Sequence, residues 1–386
     1  MKTRTEGDKV YVELAGRVNS ANSFEVEAQL REIVQAAGGS EVVVDASELE
    51  YISSAGLRVL LKLRRRQGSL KVVEANPDVY EVFEVTGFTE LLDVEKRLRK
   101  ISTDGCELIG RGGNGAVYRL DPETIVKAYY SSTETPEKIQ ASRRSAQKLL
   151  VLGIPVAIAF DVVRVEGGYG LVYELLDCKT VGELIHEDPS SINHWAREAA
   201  ELLKQLHATE VPVGTFPDAR DSGHRWVNVA QDVLDEDTQE RLHRMYDAMP
   251  VQNTLVHGDY HVGNMMVQGD EIVLIDTDDV AQGDPIIDMA GMELTFGFIT
   301  TDDLAMSTLG ATVDEVRRYY DAFIKHYYGT DDEALLQRYA YPRKLHAMVK
   351  LLYGMCKTES LPQEVKDQHI PRMRAGLLQL MDAMGV

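Results

Sequence analysis

The sequence is short of residues that would tie it into a covalent or metal-bound scaffold. Its 386 residues include three cysteines, Cys106, Cys178 and Cys356, far apart along the chain. No Cys-x-x-Cys pair and no Cys/His ligand spacing accompanies them, which excludes a disulfide framework and a zinc site. No run of 18 apolar residues exists, so nothing is expected to span a membrane. The opening, Met-Lys-Thr-Arg-Thr-Glu-Gly-Asp, lacks the apolar stretch of a secretory signal, and the free thiols point to the cytoplasm. Positive charge is scarce too. Lys and Arg number 41 against 62 Asp and Glu, a net −21, which argues against a primary role on nucleic acid or an anionic membrane. Internal repeats and low-complexity tracts are absent.

What is present is an ordinary globular composition, 44% hydrophobic and 27% charged, in a chain long enough for two or three domains. The charge is uneven. Residues 1–100 hold 15 Lys/Arg against 17 Asp/Glu, and residues 101–386 hold 26 against 45. Such acidity keeps a large domain soluble, and it also suits attraction of a cationic substrate.

Residues 9–16 alternate like a half-buried strand, 21–37 have helical spacing ended by Gly38-Gly39, and 41–45 form a β-branched run. Ile52 to Leu63 reads as loop then helix with Ser54 as N-cap. Residues 70–75 read as a strand, and Pro77 opens a helix toward Gly87. This order makes a small α/β layer fold. The polar stretch 95–105 ends in turn residues and is expected to be the boundary, near 101. From 106 to 130 the pattern is strand, glycine loop, strand, a turn at Asp121-Pro122-Glu123, and strand. Helical periodicity dominates beyond 190, broken by a β-rich stretch at 254–276.

Gly110-x-Gly112-x-x-Gly115-x-Val117 is the strongest local signal early in the large region. Glycines let a backbone turn tightly and bring N–H groups close to phosphate oxygens. A Rossmann turn would need a helix straight after the glycines, whereas a strand follows here. No Gly-Lys-Ser/Thr is present, which excludes a Walker A loop. A glycine-rich hairpin without a ligand is the competing reading. Lys127 follows ten residues after Val117 between apolar neighbours, so an inward ammonium there needs an anionic partner. Nucleotide phosphates would supply one, and an exposed edge-strand lysine is the alternative.

His257-Gly258-Asp259-Tyr260-His261-Val262-Gly263-Asn264 is the most specific motif. Asp259 and Asn264 have the offset of a kinase catalytic loop, in which a carboxylate orients the acceptor hydroxyl and an amide oxygen holds Mg²⁺. Asp276, after the strand run 271–275, falls where the second Mg²⁺ ligand belongs. A simple turn residue is the competing reading.

These motifs, with the run Leu-Ile-Asp-Thr-Asp-Asp-Val-Ala-Gln-Gly-Asp-Pro-Ile-Ile-Asp-Met-Ala, resemble the aminoglycoside phosphotransferase and choline kinase group of kinase-like enzymes over about residues 103–386. The resemblance implies Asp259 as catalytic base, Asn264 and Asp276 as Mg²⁺ ligands and Lys127 as phosphate ligand. Asp288 would support the catalytic loop, and His257 and His261 would be structural. Leu171 to Leu176 would be the hinge, with backbone groups of Glu174 and Leu176 on the adenine. Two departures stand out. The family's first-helix glutamate has no counterpart mid-helix, where Arg143 and Arg144 stand and only Glu137 lies at the start. After Asp276 come Thr277, Asp278 and Asp279 instead of an aromatic residue and an acid. The two acids would face a cationic substrate or be solvated.

Asp45 to Leu61 resembles the STAS domain of sulphate transporters and anti-sigma factor antagonists, and the likeness extends over residues 8–98. It implies a phosphorylated serine at the helix start, which falls on Ser54, with Ser53 where aspartate is frequent. A plain helix-capping role is the other reading of Ser54.

The expected architecture is an α/β STAS domain (1–100) joined to an α+β, protein-kinase-like bilobal domain. Its antiparallel-sheet N-lobe is 101–176 and its mainly helical C-lobe 177–386. The expected function is ATP- and Mg²⁺-dependent transfer of the γ-phosphoryl group to a hydroxyl of a small molecule, a sugar, amino sugar or amino alcohol. The alternatives are a protein serine kinase acting on Ser54 or a partner serine, and a nucleotide-binding interaction protein without turnover. A protein partner is expected through the STAS domain, and neither nucleic acid nor membrane.

Overall fold

The computed structural model describes residues 1–111, 115–130, 134–358 and 361–386, the side chain of Phe298 excepted. The chain folds as two compact units, Met1–Ser102 with Val163–Val165, and Thr103–Val162 with Glu166–Val386. Among the described residues no helix is long and apolar enough to cross a membrane.

The first unit runs β1 (Thr3–Glu6), β2 (Lys9–Val18), α1 (Ser23–Ala36), β3 (Glu41–Ile52), α2 (Ser54–Gln67), β4 (Lys71–Ala75), α3 (Pro77–Val85), β5 (Asp93–Lys96) and the two-residue β6 (Arg99–Lys100). Strands β1 to β5 lie in sequence order, the first pair antiparallel and the rest parallel. Parallel strands buried on both faces need continuous apolar runs, and Val42, Val43 and Val44 of β3 supply one. Gly56 lets α2 close onto the sheet, since a Cβ there would sit 2.7 Å from Ile52 Cγ1 and 2.8 Å from Val18 Cγ1. β5 falls partly within the polar stretch read as a boundary. Its Val94 packs on the core while its charged residues remain outside, and Lys71 ion-pairs with Asp93 and Glu95.

Ser54 is not the N-cap of α2. Ser53 has the extended backbone of a cap and its side chain accepts from Gly56 N–H at 3.4 Å, while Ser54 is the exposed first helical residue.

The second unit begins with a sheet and continues as helices, as the expected α+β architecture requires. Its sheet strands are β7 (Glu107–Arg111), β8 (Gly115–Arg119), β9 (Thr124–Tyr129), β10 (Ala159–Val165) and β11 (Gly168–Glu174), with α4 (Pro136–Val151) between β9 and β10. They lie in the order β10-β11-β9-β8-β7. The turn between β8 and β9 is built by Asp121, whose carboxylate accepts from Glu123 N–H and Thr124 N–H, both at 2.8 Å.

The rest is α5 (Val181–Glu187), α6 (Ile192–Ala208), α7 (Ala219–Val229), α8 (Glu236–Asp247), β12 (Leu255–Val256), β13 (Met265–Gln268), β14 (Glu271–Leu274), β15 (Ala281–Gln282), α9 (Ile286–Phe298), α10 (Asp302–Leu309), α11 (Val313–Tyr328), α12 (Glu333–Lys357) and α13 (Gln363–Met384). Two apolar cores form here. One joins α6 and α11 through Leu203, Leu206, Tyr319 and Phe323. The other joins α7, α8, α12 and α13 through Trp226, Tyr246, Leu345 and Leu377. Val256 belongs to the second core while Tyr260 and Val262 belong to the first. Residues 257–264 are therefore anchored at both ends in apolar packing.

Candidate active site

The glycine-rich segment pairs β7 with β8, Gly110 lying opposite Val117. Gly112 lies outside the described residues. Gly115 owes its identity to its neighbour strand, because a Cβ there would meet Ala128 O at 2.3 Å. Val117 in turn lies opposite Lys127 of β9, which faces Leu171 on its other side.

Lys127 is 13% exposed, and its ammonium reaches two carboxylates, Asp276 Oδ1 and Asp278 Oδ2, each at 2.7 Å. Burial works against its charge, but Asp278 and Asp276 hold the ammonium above its ordinary pKa. The Tyr129 hydroxyl joins them, 3.2 Å from Asp278 Oδ2. Asp278 is thus engaged with Lys127 and Tyr129. Asp279 is half exposed and lies 3.9 Å from Arg225. Glu137 sits in the first turn of α4, and the Lys127 ammonium reaches the carboxylates of 276 and 278.

Most of the segment Leu171–Leu176, expected as the hinge, is strand. Alternating pairing with β9 continues to Glu174, opposite Thr124, so the chain leaves the sheet only at Leu175. Glu174 N–H donates to Ile158 O at 3.0 Å and its carboxylate accepts from Ile158 N–H at 2.7 Å. Leu176 is half-buried outside the strand.

The 257–264 loop is held by hydrogen bonds that follow from its own residue types. Gly258 has φ +87°, and a Cβ there would lie 2.5 Å from Asp279 O, so glycine alone fits. Asn264 Nδ2 donates to Asp259 O at 2.9 Å and lies 3.2 Å from Asp259 Oδ2. Ile275 N–H donates to Asn264 O at 3.0 Å, which sets Asp276 beside the loop. Asp276 itself has φ +57°, a conformation costly for a residue with a Cβ and common where a site fixes its side chains.

His261 accepts from Gly263 N–H through Nδ1 at 3.2 Å, so Nε2 carries the proton and points at Asp259 Oδ2, 3.5 Å away. His257 is buried. Its Nδ1 accepts from Asp259 N–H at 3.3 Å, and its Nε2 has no partner among the described residues. Burial keeps its pKa below the ordinary histidine value, so it is neutral. Asp259 is 41% exposed. Burial raises its carboxyl, but His261, then Lys350 and His257, outweigh this and hold it well below the usual carboxylate range.

Asp288, fully buried, accepts from His257 N–H at 2.7 Å and Gly258 N–H at 2.6 Å. His207 Nε2 lies 3.0 Å from the same carboxylate, and His207 Nδ1 lies 2.7 Å from the Tyr327 hydroxyl. Burial opposes the Asp288 charge, and the His207 hydrogen bond leads the groups that keep its pKa low. Reasoning along the sequence missed His207 and Lys350. Lys350 of α12 donates to Gly258 O at 2.9 Å and stands 4.0 Å from Asp259 Oδ1. No local spacing marks either residue, because both reach the loop from other helices.

Comparison with known proteins follows the same division. A model described as the phosphotransferase enzyme family matches residues 105–333, and a STAS domain model matches residues 1–93. BtrV of Bordetella bronchiseptica, described as an anti-sigma factor antagonist, is 48% identical over 85 residues, 21% of this chain and 72% of that protein. Among solved structures, the amicoumacin kinase hAmiN aligns over 76% of this chain and 92% of its own, at 16% identity and TM-score 0.47. A thermostable mutant of aminoglycoside phosphotransferase APH(4)-Ia aligns over 72% of this chain and 94% of its own, at 12% identity and TM-score 0.49. With more than half of its length matched by that family model, the chain belongs to the phosphotransferase enzyme family and carries a STAS domain of the anti-sigma factor antagonist kind at its N-terminus.

Proposed function

We propose that residues 103–386 bind ATP with Mg²⁺ and transfer the γ-phosphoryl group to the hydroxyl of a small molecule. One observation carries the reading. Four residues from three segments form a single chain: Lys127 on Asp276 at 2.7 Å, the segment of Asp276 tied to Asn264 through Ile275 N–H at 3.0 Å, and Asn264 on Asp259 of the same loop at 3.2 Å. Phosphoryl transfer needs little beyond a cation for the phosphates, oxygen ligands for a metal ion and a carboxylate for the hydroxyl, held in order.

The donor set suits Mg²⁺. Asn264 and Asp276 offer an amide and a carboxylate oxygen, and Mg²⁺ characteristically takes one or two protein oxygens and fills the remainder with water and phosphate. When bound, the metal ion neutralises charge on the phosphates. Lys127 would keep its bond to Asp278 and turn from Asp276 toward the nucleotide phosphates. The glycine strand β7–β8 would lie over them, with Gly110 and Val117 in register, and Glu174 and Leu176 would meet the adenine. Asp259, ionised well into acid, would orient the acceptor hydroxyl and take its proton, while Asp288 keeps the loop in place. The test is ADP formation from Mg-ATP across a panel of hydroxyl compounds. Asp259→Asn should lower turnover at least about 100-fold with nucleotide affinity retained. Bound ATP with no turnover on any acceptor, water included, would refute the reading.

A second reading, a serine kinase whose target is Ser54, is favoured by the exposed, non-capping hydroxyl of that residue. A phosphate there would meet free N–H groups at the start of α2. Phosphosite mapping after incubation with Mg-ATP decides it, and an unmodified Ser54 in active protein rejects it.

A further inference from the structure

The two oxygens of Asp259 have different surroundings. Oδ2 lies 3.2 Å from Asn264 Nδ2 and 3.5 Å from His261 Nε2. Oδ1 faces the Lys350 ammonium at 4.0 Å. That separation is too long for a hydrogen bond and leaves room for an oxygen that touches both groups.

The position of Lys350 is built from several elements. Its ammonium, on a side chain 18% exposed, donates to Gly258 O at 2.9 Å and lies 5.7 Å from the centre of the Trp226 ring of α7. Space for it comes from α9, where a Cβ on Gly291 would stand 3.2 Å from Nζ. An ammonium has three donors, and the Gly258 carbonyl takes one. The Asp259 carboxylate and the Gly258 carbonyl offset the desolvation of this cation, and two of its donors remain for a bound molecule.

We propose that Lys350 is an acceptor-binding residue. The attacking oxygen sits between Asp259 Oδ1 and Lys350 Nζ, accepting from the ammonium and donating to the carboxylate. The proposal rests on the phosphotransfer reading. In the transfer, this oxygen forms its bond to the γ-phosphorus and its proton passes to Asp259. The bond from the γ-phosphorus to the β,γ-bridging oxygen breaks, and its electron pair leaves with ADP. Lys350 stabilises the charge that gathers on the attacking oxygen as the proton departs.

The same cation selects the acceptor. An ammonium on the carbon next to the carbinol carbon would be pressed against Lys350 in a half-buried site. The carboxylates nearest in sequence do not relieve it, since Asp278 is on Lys127 and Asp279 faces Arg225. Acceptors that are neutral or anionic around the reacting hydroxyl are therefore favoured over amino alcohols and amino sugars.

The experiment measures kcat and KM for Mg-ATP on the full chain with water as acceptor, in wild type, Lys350→Met, Lys350→Gln and Lys350→Arg. Gln keeps a donor for Gly258 O but carries no charge. Met and Gln variants should both lose about 100-fold in kcat with KM for ATP unchanged, and Arg should recover part of the loss. Ethanolamine, choline and kanamycin should leave wild-type ADP formation at the water rate. A Gln variant at the wild-type kcat reduces Lys350 to a clamp on the loop and overturns the proposal. Stimulation of the wild type by any of the three amines overturns the selectivity. A wild type that binds Mg-ATP and turns over nothing refutes the phosphotransfer reading itself.

Discussion

At Gly258 the backbone conformation and the space available both demand glycine. Its φ of +87° and the approach of Asp279 O to within 2.5 Å of a Cβ reinforce each other, and the Lys350 ammonium bonds its carbonyl. A methyl group here has to push the loop away from residue 279, and Asp259 is next in the chain. Displacement of a reacting group by about 1 Å costs on the order of 100-fold in rate. Gly258→Ala should therefore lower kcat by about that factor. Gly269→Ala is the control: its φ is +65° with nothing within 4 Å of a Cβ, so it carries backbone strain without displacing the site, and it should keep its kcat. Equal kinetics in the two variants would show that the Asp279 contact is unimportant. The site residues readable in the sequence are those that sit in a local motif, Lys127 behind the glycine segment and the others in or just after the 257–264 loop. Asp259 and Asn264 are five residues apart, and Asp276 follows one hairpin later, after β13 and β14. Lys350 bonds a carbonyl 92 residues away and His207 a carboxylate 81 residues away, so no window of sequence displays either pairing.

At the level of elements, periodicity was enough to predict β2 and α1, Pro77 marked the start of α3, and the glycines with the turn at Asp121-Pro122-Glu123 marked β7, β8 and β9. The misjudged pieces depend on competition between neighbouring residues. Ser53 and Ser54 are chemically alike, and only the extended backbone of residue 53 decides which one caps α2. β5 has one strongly apolar residue, Val94, so its polar neighbours read as linker. Helix α12 shows what the pattern conceals. Its His346 is buried against Tyr246 of α8, ring centres 5.3 Å apart, and Nδ1 has no partner among the described residues. Burial lowers its pKa from 6.5 to about 4. Between these values the unfolded chain binds a proton that the folded chain refuses, so stability is lost as pH falls. The loss from pH 7 to pH 5 is about 2 kcal/mol for this group. His257 and His243 are shifted down by burial too and act in the same sense, so the comparison must isolate one residue. Denaturant unfolding at pH 7 and pH 5 should show the changes due to all other groups equally in both proteins, with His346→Phe losing about 2 kcal/mol less than wild type. Equal losses would place the titration elsewhere.

For the whole molecule, the change in charge along the sequence coincides with a change in core. The nearly neutral first unit packs around Val44, Leu60 and Phe83, and the strongly acidic second unit has cores of its own. Near the 257–264 loop the acidity is offset locally by Lys127, Lys350 and Arg225, so the net charge is a poor guide to an acceptor. Composition supplies a way to observe the units separately. The chain has two tryptophans, Trp195 and Trp226, both in the second unit. Tryptophan fluorescence therefore follows that unit alone, whereas far-ultraviolet circular dichroism follows both. A ligand that binds the folded state at 100 times its Kd stabilises it by about 2.7 kcal/mol. For a unit of this size that corresponds to a rise in Tm of roughly 5 °C. Saturating Mg-ATP should raise the fluorescence transition by about this amount and leave in place the part of the circular dichroism change that belongs to the first unit. Lys127→Met, which removes the cation proposed to meet the phosphates, should shrink the fluorescence shift. A dichroism curve that moves as one with the fluorescence would mean that the two cores unfold together. A fluorescence transition indifferent to Mg-ATP would remove nucleotide binding from the second unit, and with it the role assigned to the Lys127–Asp276 pair.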